Sequence, residues 1–504
     1  MTAELQPVAS GLHAWQQMPA LIVLGPLVTG ILAPVLALRS VRWMRALAAV
    51  VLAATLALAA AALAHAIVEG PIHYKFGGWA PPWGIEYVID PLSGAVAVLV
   101  SFFALLVFFG LAREGGGAMR SGAFHALYLL LVAGLLGIAL TGDLFNLYVF
   151  LEISALAGYA LVAAGGNRGA VAAYRYLIIG SVGATFWVLG LAYLYALTGT
   201  LNMADMSARL PALLDSRAAV AGLSFIVAGL AIKMALFPVH GWQPDAYTYA
   251  PASVMPFVSA VTSKVSVYVL LRVLYSVFLA QGPAAMTLEV LGWVAAAGIV
   301  GASVLALAQR DIRRMLAYSS VAQIGYIVLG LAIGNALALT GALLHILNHA
   351  VMKGCMFVAV AGIRARTGKT DIPALAGLGA RMPWTAAAFT TAAVAMIGLP
   401  PTCGFFSKLY LVSGAVQAGA WPFVAALAAS TLLGAVYFFR VIEQLYFREP
   451  APADQPEAAP AREAPAAFLV PALVLAALVL ILGVFNQAVV EHVLRFAVPR
   501  GVVG

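Results

Sequence analysis

Charge is scarce in this sequence. Only 9% of its 504 residues are Asp, Glu, Lys or Arg, while 63% are hydrophobic and the mean hydropathy is +1.00. A soluble domain carries about 25% charged residues, so a water-soluble globular chain is excluded and a polytopic membrane protein is implied. Cysteine is scarcer still. Cys355 and Cys403 both fall in or beside apolar runs, without metal-ligand spacing, and give neither a disulfide framework nor a zinc site. No CxxC, haem or iron–sulfur spacing occurs. The glycine-rich stretches REGGGAMRSG and GGNRG match neither a GxxxxGK[ST] phosphate loop nor a GxGxxG after a strand. No cofactor, metal or nucleotide is therefore expected. The first nineteen residues contain no Lys or Arg and so lack the basic region that opens a signal peptide. The pI of about 9.5 raises nucleic acid as a partner. The basic residues, however, lie in short loops between apolar spans, which is a topology signal of membrane proteins.

What the chain has in abundance is long apolar runs. A spanning helix needs roughly 20 mainly apolar residues. Fourteen such segments can be counted, centred near residues 29, 56, 101, 131, 154, 184, 227, 264, 297, 323, 350, 400, 432 and 478. If the N-terminus lies outside, 16 of the Lys and Arg residues collect on the inner side and 5 on the outer. Both termini are then expected to face outward, the periplasmic side of a bacterial inner membrane. Residues 69–90 read as a short outer turn or hairpin, and 449–467, rich in Pro, Ala and Glu, as a disordered inner linker.

Two spans are interrupted. LFPVHGWQPDA, with Pro238, His240, Pro244 and Asp245, breaks the seventh after Lys233. GLPPTCGFFSKL, with Pro400 and Pro401, breaks the twelfth before Lys408. The interruptions lie five spans apart, and an odd number makes any repeats inverted. Paired broken helices in inverted halves point to the working site of a transporter.

Glu152, Lys233, Lys264, Lys353 and Lys408 fall inside five different spans. A charge at a helix centre costs about 2.5 to 3.5 kcal/mol on insertion scales, so the set costs on the order of 12 kcal/mol before partners form. Buried ion pairs stabilise poorly. A purely structural role therefore explains one pair comfortably and five groups badly. His345, His349 and Lys353 are spaced i, i+4, i+8 and form one stripe over about 12 Å of helix, the arrangement of a wet path. Lys264 and Arg272 share that spacing, with snorkelling to the surface an open alternative for Arg272. Protons suit such groups, because burial disfavours the charged form and a nearby opposite charge restores it. The helix breaks would supply freed backbone groups and helix-end dipoles that let Lys233 meet water.

The stretches DLFNLYVFLEISALAGYALV, KMALFPVHGWQPDAYTYAP, SKVSVYVLLRVL, QRDIRRMLAYSSVAQIGY, LLHILNHAVMKG and GLPPTCGFFSKL together resemble the proton-conducting antiporter-like subunits shared by Mrp-type Na+/H+ antiporters and respiratory complex I. The resemblance runs from roughly residue 85 to 440. It implies an all-α fold of about fourteen transmembrane helices with an inverted five-helix repeat and two broken helices. The implied divisions are 1–120 (three helices and the outer hairpin), 121–280 (first repeat), 285–445 (second repeat) and 446–504 (linker and last helix). By resemblance Glu152, Lys233 and Lys264 are the glutamate and lysines of helices five, seven and eight. His345, His349 and Lys353 form the helix-eleven connection, and Lys408 is the lysine of the broken twelfth. Asp245 matches the family's PD turn, but Tyr247 stands where a second histidine is usual. FNLYVFLEISALAGYALVA and LYALTGTLNMADMSARL look most like the D-type subunit of Mrp antiporters, with the M or N subunits of complex I next and a non-transporting scaffold third. The implied role is a secondary transporter subunit, an enzyme part only under the complex I alternative. It would work with other membrane subunits and exchange Na+ or another monovalent cation for protons.

Overall fold

The computed structural model describes residues 14–110, 118–449 and 463–499. The linker expected at 449–467 falls mostly outside the described residues, as do the two ends of the chain and Arg113, Arg462 and Arg500, which entered the charge count.

The apolar runs fold as helices because a spanning backbone must satisfy its own N–H and C=O groups. In chain order they are α1 Met18–Arg39, α2 Val41–Val68, α3 Pro91–Phe108, α4 Ala118–Leu140, α5 Leu144–Ala163 and α6 Asn167–Thr198. Next come the short α7 Met203–Arg209, then α8 Arg217–Met234, the short α9 Trp242–Tyr249 and α10 Met255–Leu271. The second half holds α11 Pro283–Leu307, α12 Ile312–Ile333, α13 Ala336–Thr367, the single turn α14 Leu378–Arg381, α15 Pro383–Ile397, α16 Cys403–Gln417, α17 Trp421–Tyr446 and α18 Ala466–Val484. Thirteen of the described helices are long and apolar enough to cross a membrane. The pair α15–α16, 15 residues each, supplies the fourteenth crossing in two halves. Between α2 and α3 the chain forms an antiparallel hairpin, β1 Ile72–Lys75 against β2 Glu86–Ile89, with Ile72 opposite Ile89 and Lys75 opposite Glu86.

The inverted repeat can be read from the order of the breaks and from a shared local device. In the five spans α4, α5, α6, α8 and α10 the fourth is broken, and so is the fourth of α11, α12, α13, α15–α16 and α17. In each set an aspartate caps the second span: Asp143 accepts from the Phe145 and Asn146 amides, Asp311 from the Arg313 and Arg314 amides. Each cap then pairs with the segment after the third span. Leu144 N–H donates to the Leu201 carbonyl as Ile312 N–H does to that of Thr370, and Met203 N–H to that of Gly142 as Ile372 N–H does to that of Arg310. Such duplicated pairing fixes the depth of the second span against the third in both halves.

Burial sorts the helices into rings. About nine-tenths of α10 and α13 is buried, against under a third of α2 and α17. α13 packs against α10, α12, α15, α16 and α18 and is the central pillar. Lys264 and the His345–His349–Lys353 stripe thus lie on the two most buried spans, whereas Glu152 and Lys233 lie on α5 and α8, which are only about half buried.

Candidate functional site

In the first half α8 carries Lys233 in its last turn, where the negative end of the helix dipole favours a cation. The helix ends at Ala235, held in the left-handed region at φ 59°. The chain crosses Pro238 and His240 and re-forms as α9. At the break the Ile232 carbonyl accepts from the Ala235 amide at 3.1 Å and also from Trp242 Nε1 at 2.9 Å, which ties α9 back to the end of α8. Lys233 Nζ donates to Glu152 Oε1 of α5 at 3.1 Å; the lysine side chain is 8% exposed and the glutamate 27%. His240 is buried, stacked on Phe237 and edge-on to Tyr318. Pro244 lies in the first turn of α9, and its carbonyl accepts from the Thr248 hydroxyl.

Asp245 does not line the buried centre. It is clasped by Arg175 of α6 at 2.6 Å and Arg314 of α12 at 3.0 Å, and so ties the first break to the second repeat. Arg272 does not snorkel either. Its guanidinium meets Asp90, the N-cap of α3, and the Tyr268 hydroxyl.

Lys264 is buried on α10, and its amine donates to the Ser259 carbonyl. After the first break, α9 and α10 carry four more polar side chains, Gln243 and Tyr247 on α9 and Thr262 and Ser263 on α10. The Gln243 amide atoms, the Tyr247 hydroxyl and the Ser263 hydroxyl are buried without a direct protein partner, although Tyr247 lies beside Gln243 and Ser263. Sequence reasoning missed Gln243, Thr262 and Ser263, and treated Tyr247 only as a lost histidine. A neutral polar side chain in an apolar run costs too little to stand out; its position opposite a broken helix is the one available signal.

In the second half the stripe on α13 forms. His345 is held from both sides, Nδ1 at 2.9 Å from Ser407 Oγ and Nε2 at 2.8 Å from Gln323 Oε1. His349 stacks beneath it at 5.8 Å between ring centroids and has no direct hydrogen bond at either nitrogen. Lys353 donates to the Leu316 carbonyl at 2.9 Å. On the other side of His345, Tyr326 stacks at 5.7 Å, and its ring faces the Lys408 amine at 5.1 Å.

Lys408, one turn into α16, reaches back across the Pro400–Pro401 break to the Met396 and Ile397 carbonyls at the end of α15. Gly398, at φ 95°, gives its stem room, since a Cβ there would sit 3.0 Å from Lys408 Cδ. Both breaks therefore set a lysine at a helix C-terminus, Lys233 in the last turn of α8 and the Lys408 amine against the end of α15. Lys264, Lys353 and Lys408 have no carboxylate within ion-pair reach among the described residues. Each break is also covered by a glycine face of a later helix. Phe237 packs on Gly298 and Gly301 of α11, and Pro401 to Cys403 abut Gly483 of α18, where a side-chain carbon would overlap the Pro401 carbonyl.

Residues 141–434, which include every lysine, histidine and glutamate of this row, match the family described as NADH:quinone oxidoreductase/Mrp antiporter, TM. The chain belongs to that family. It is 55% identical over 493 residues to the NADH-quinone oxidoreductase subunit N of Desulforudis audaxviator, covering 96% of this chain and 98% of that protein. To the D-type subunit of the Na(+)/H(+) antiporter of Alkalihalophilus pseudofirmus it is 30% identical over 427 residues, 84% and 85% of the two chains. Among solved structures it matches a chain of the membrane-bound sulfane sulfur reductase, an archaeal respiratory membrane complex, with a TM-score of 0.88 and 31% identity over 97% of this chain and 98% of that one. The family membership agrees with the sequence motifs. The identities within it run opposite to the order in which those motifs ranked the two subfamilies.

Proposed function

We propose that this chain is an antiporter-like, proton-translocating subunit of the N type in a respiratory quinone oxidoreductase, with a row of buried bases as its path. The carrying observation is that row: the Glu152–Lys233 pair, Lys264, the His345–His349–Lys353 stripe and Lys408, on five spans and buried except for the partly exposed Glu152. The choice of assembly rests on the 55% identity to an oxidoreductase subunit against 30% to an antiporter subunit.

Three buried amines without counter-anions cannot all carry full charge at once, since like charges in a poorly solvated interior repel strongly. A proton added at one lysine is therefore felt at the next, and charge passes along the row instead of resting on it. The Glu152–Lys233 pair holds a charge at one end. Tyr326, His345 and His349 link Lys408 toward Lys353. The orphaned polar atoms of Gln243, Tyr247 and Ser263 are the groups that a short water chain from Lys233 to Lys264 would satisfy. Redox chemistry belongs to other subunits; this chain contributes the membrane path.

Purification from native membranes through a tag on this chain tests the reading. The expected assembly contains iron–sulfur subunits and, in proteoliposomes, couples quinone reduction to proton movement without a sodium requirement. Recovery of small antiporter subunits alone, with Na+/H+ exchange in the absence of an electron donor, overturns it in favour of an Mrp-type complex.

A further inference from the structure

A cleft of about 470 Å³ opens at the surface where α6, α9 and α12 meet, lined among others by Arg168, Val171, Arg175, Asp245, Tyr249 and Arg314. Three guanidiniums share it with one carboxylate. Arg175 and Arg314 both hold Asp245, which is 13% exposed. Arg168 lies over the Tyr249 ring at 5.9 Å and makes no ion pair among the described residues. Arg175 keeps 61% of its side chain exposed, with donors free for another anion. The cleft therefore carries an excess of two positive charges.

Its position narrows the ligand. Arg168 is at the start of α6, Arg175 about two turns further along it and Arg314 at the start of α12; α6, at 32 residues, is longer than the roughly 30 Å apolar core of a bilayer requires, which leaves its first turns at the depth of lipid headgroups. From the cleft, α6 runs into the membrane with Val171, Tyr174, Ile178 and Val182 exposed along one stripe. A polar, cationic mouth thus sits directly above an open apolar face.

We propose that this cleft binds an anionic phospholipid, its phosphate on Arg168 and Arg175 and an acyl chain along the Val171–Val182 stripe. Arginine forks suit a phosphate's oxygens, and the apolar stripe distinguishes a lipid from free phosphate. Because α6 and α9 belong to the first repeat and α12 to the second, a lipid seated here bridges the two repeats beside the first helix break. The site stands apart from the choice between respiratory and antiporter assemblies.

Native mass spectrometry and thermal melts of the delipidated whole complex test it, with phosphatidylglycerol, phosphatidylcholine and inorganic phosphate added separately. Phosphatidylglycerol is expected to bind and raise the melting temperature; the other two are not. Arg168→Gln with Arg175→Gln should weaken retention about fivefold to tenfold per arginine. The exposed pair Arg39→Gln with Arg42→Gln should leave it unchanged. Arg168→Gln alone disturbs no carboxylate contact, and it keeps the test valid if the double variant fails to assemble. Equal stabilisation by phosphate overturns the lipid source. Equal loss in the control pair reduces the effect to general surface charge, and a partner subunit's carboxylate filling the cleft in a structure of the complex replaces the lipid; either result also overturns the proposal.

Discussion

Replacing Lys233 by arginine separates charge from proton exchange. At 3.1 Å from Glu152, a cation interacts with the carboxylate by about 5 kcal/mol at an effective dielectric near 20, and partial exposure of the glutamate reduces this to about 3 to 5 kcal/mol. Arginine keeps that attraction, so the α5–α8 contact and assembly should persist. It cannot release a proton, because its pKa stays above about 12 in proteins. A lysine can hand on its proton and leave Glu152 as a neutral amine, whereas a guanidinium must carry its charge away and meets the whole attraction as a barrier. On transition-state arithmetic, 3 to 5 kcal/mol slows the step by about a hundredfold to a few thousandfold. The assay is proton movement in proteoliposomes containing the purified complex, read with a pH-sensitive dye beside quinone reduction and subunit yield. A fully assembled Lys233→Arg complex that moves protons at more than about half the normal rate would refute proton exchange at Lys233 and leave it as electrostatic scaffolding.

The two histidines of α13 should divide their effects. His349→Leu removes no direct hydrogen bond and should cut flux with little loss of melting temperature, while His345→Leu strands Gln323 and Ser407 and should also cost about 1 to 3 kcal/mol of stability; matched losses of stability and flux in both variants would reduce them to packing residues. The hairpin should respond to pH. Its hydrogen bond to Glu86 raises the His73 pKa above 6.5, and the same bond, with burial opposing it, lowers that of Glu86 below 4.5. The histidine's contribution is complete below its unfolded value and fades as pH rises through the raised one; the glutamate's is complete above its unfolded value and fades as pH falls through the lowered one. Protection of the 72–75 amides, taken relative to the base-catalysed exchange rate of the unfolded segment at each pH, should therefore be greatest between about pH 4.5 and 6.5 and fall above, and a protection profile that is flat from pH 6 to 8, or unchanged in His73→Ala, would remove the switch. Single cysteines at Ala80 and Ala365, both exposed, test orientation: an impermeant thiol reagent outside intact cells should label only the first, and labelling of the second would invert the topology.

The spans were legible in the sequence because crossing a membrane demands length and apolarity that little else requires. The charged row was legible because each charge violates that demand at visible cost. Pairings across distance were not. Asp245 reads as part of a motif, yet its partners Arg175 and Arg314 come from helices that only the fold brings together. The partners of Arg440 and Glu443 are likewise supplied by the fold: Arg440 donates to the Leu307 and Gln309 carbonyls, and Glu443 pairs with Arg448. The repeat was visible from its prolines, whereas the aspartate caps at 143 and 311, which mark it as clearly, are too common as helix starts to be noticed without their backbone pairing.

The glycine faces over the two breaks have a consequence for biosynthesis. A chain leaves the ribosome from its N-terminus, so the break after Lys233 exists before α11 has been made, and the break before Lys408 exists before α18. Neither gap can take its packed form until the helix bearing Gly298 and Gly301, or Gly483, has been inserted. The two halves therefore mature in sequence, and the Lys408 end stays unfinished until the last of the described spans enters the bilayer. A nascent or shortened chain then holds Lys233 and Lys408 beside helix breaks whose covering helix is not yet in place.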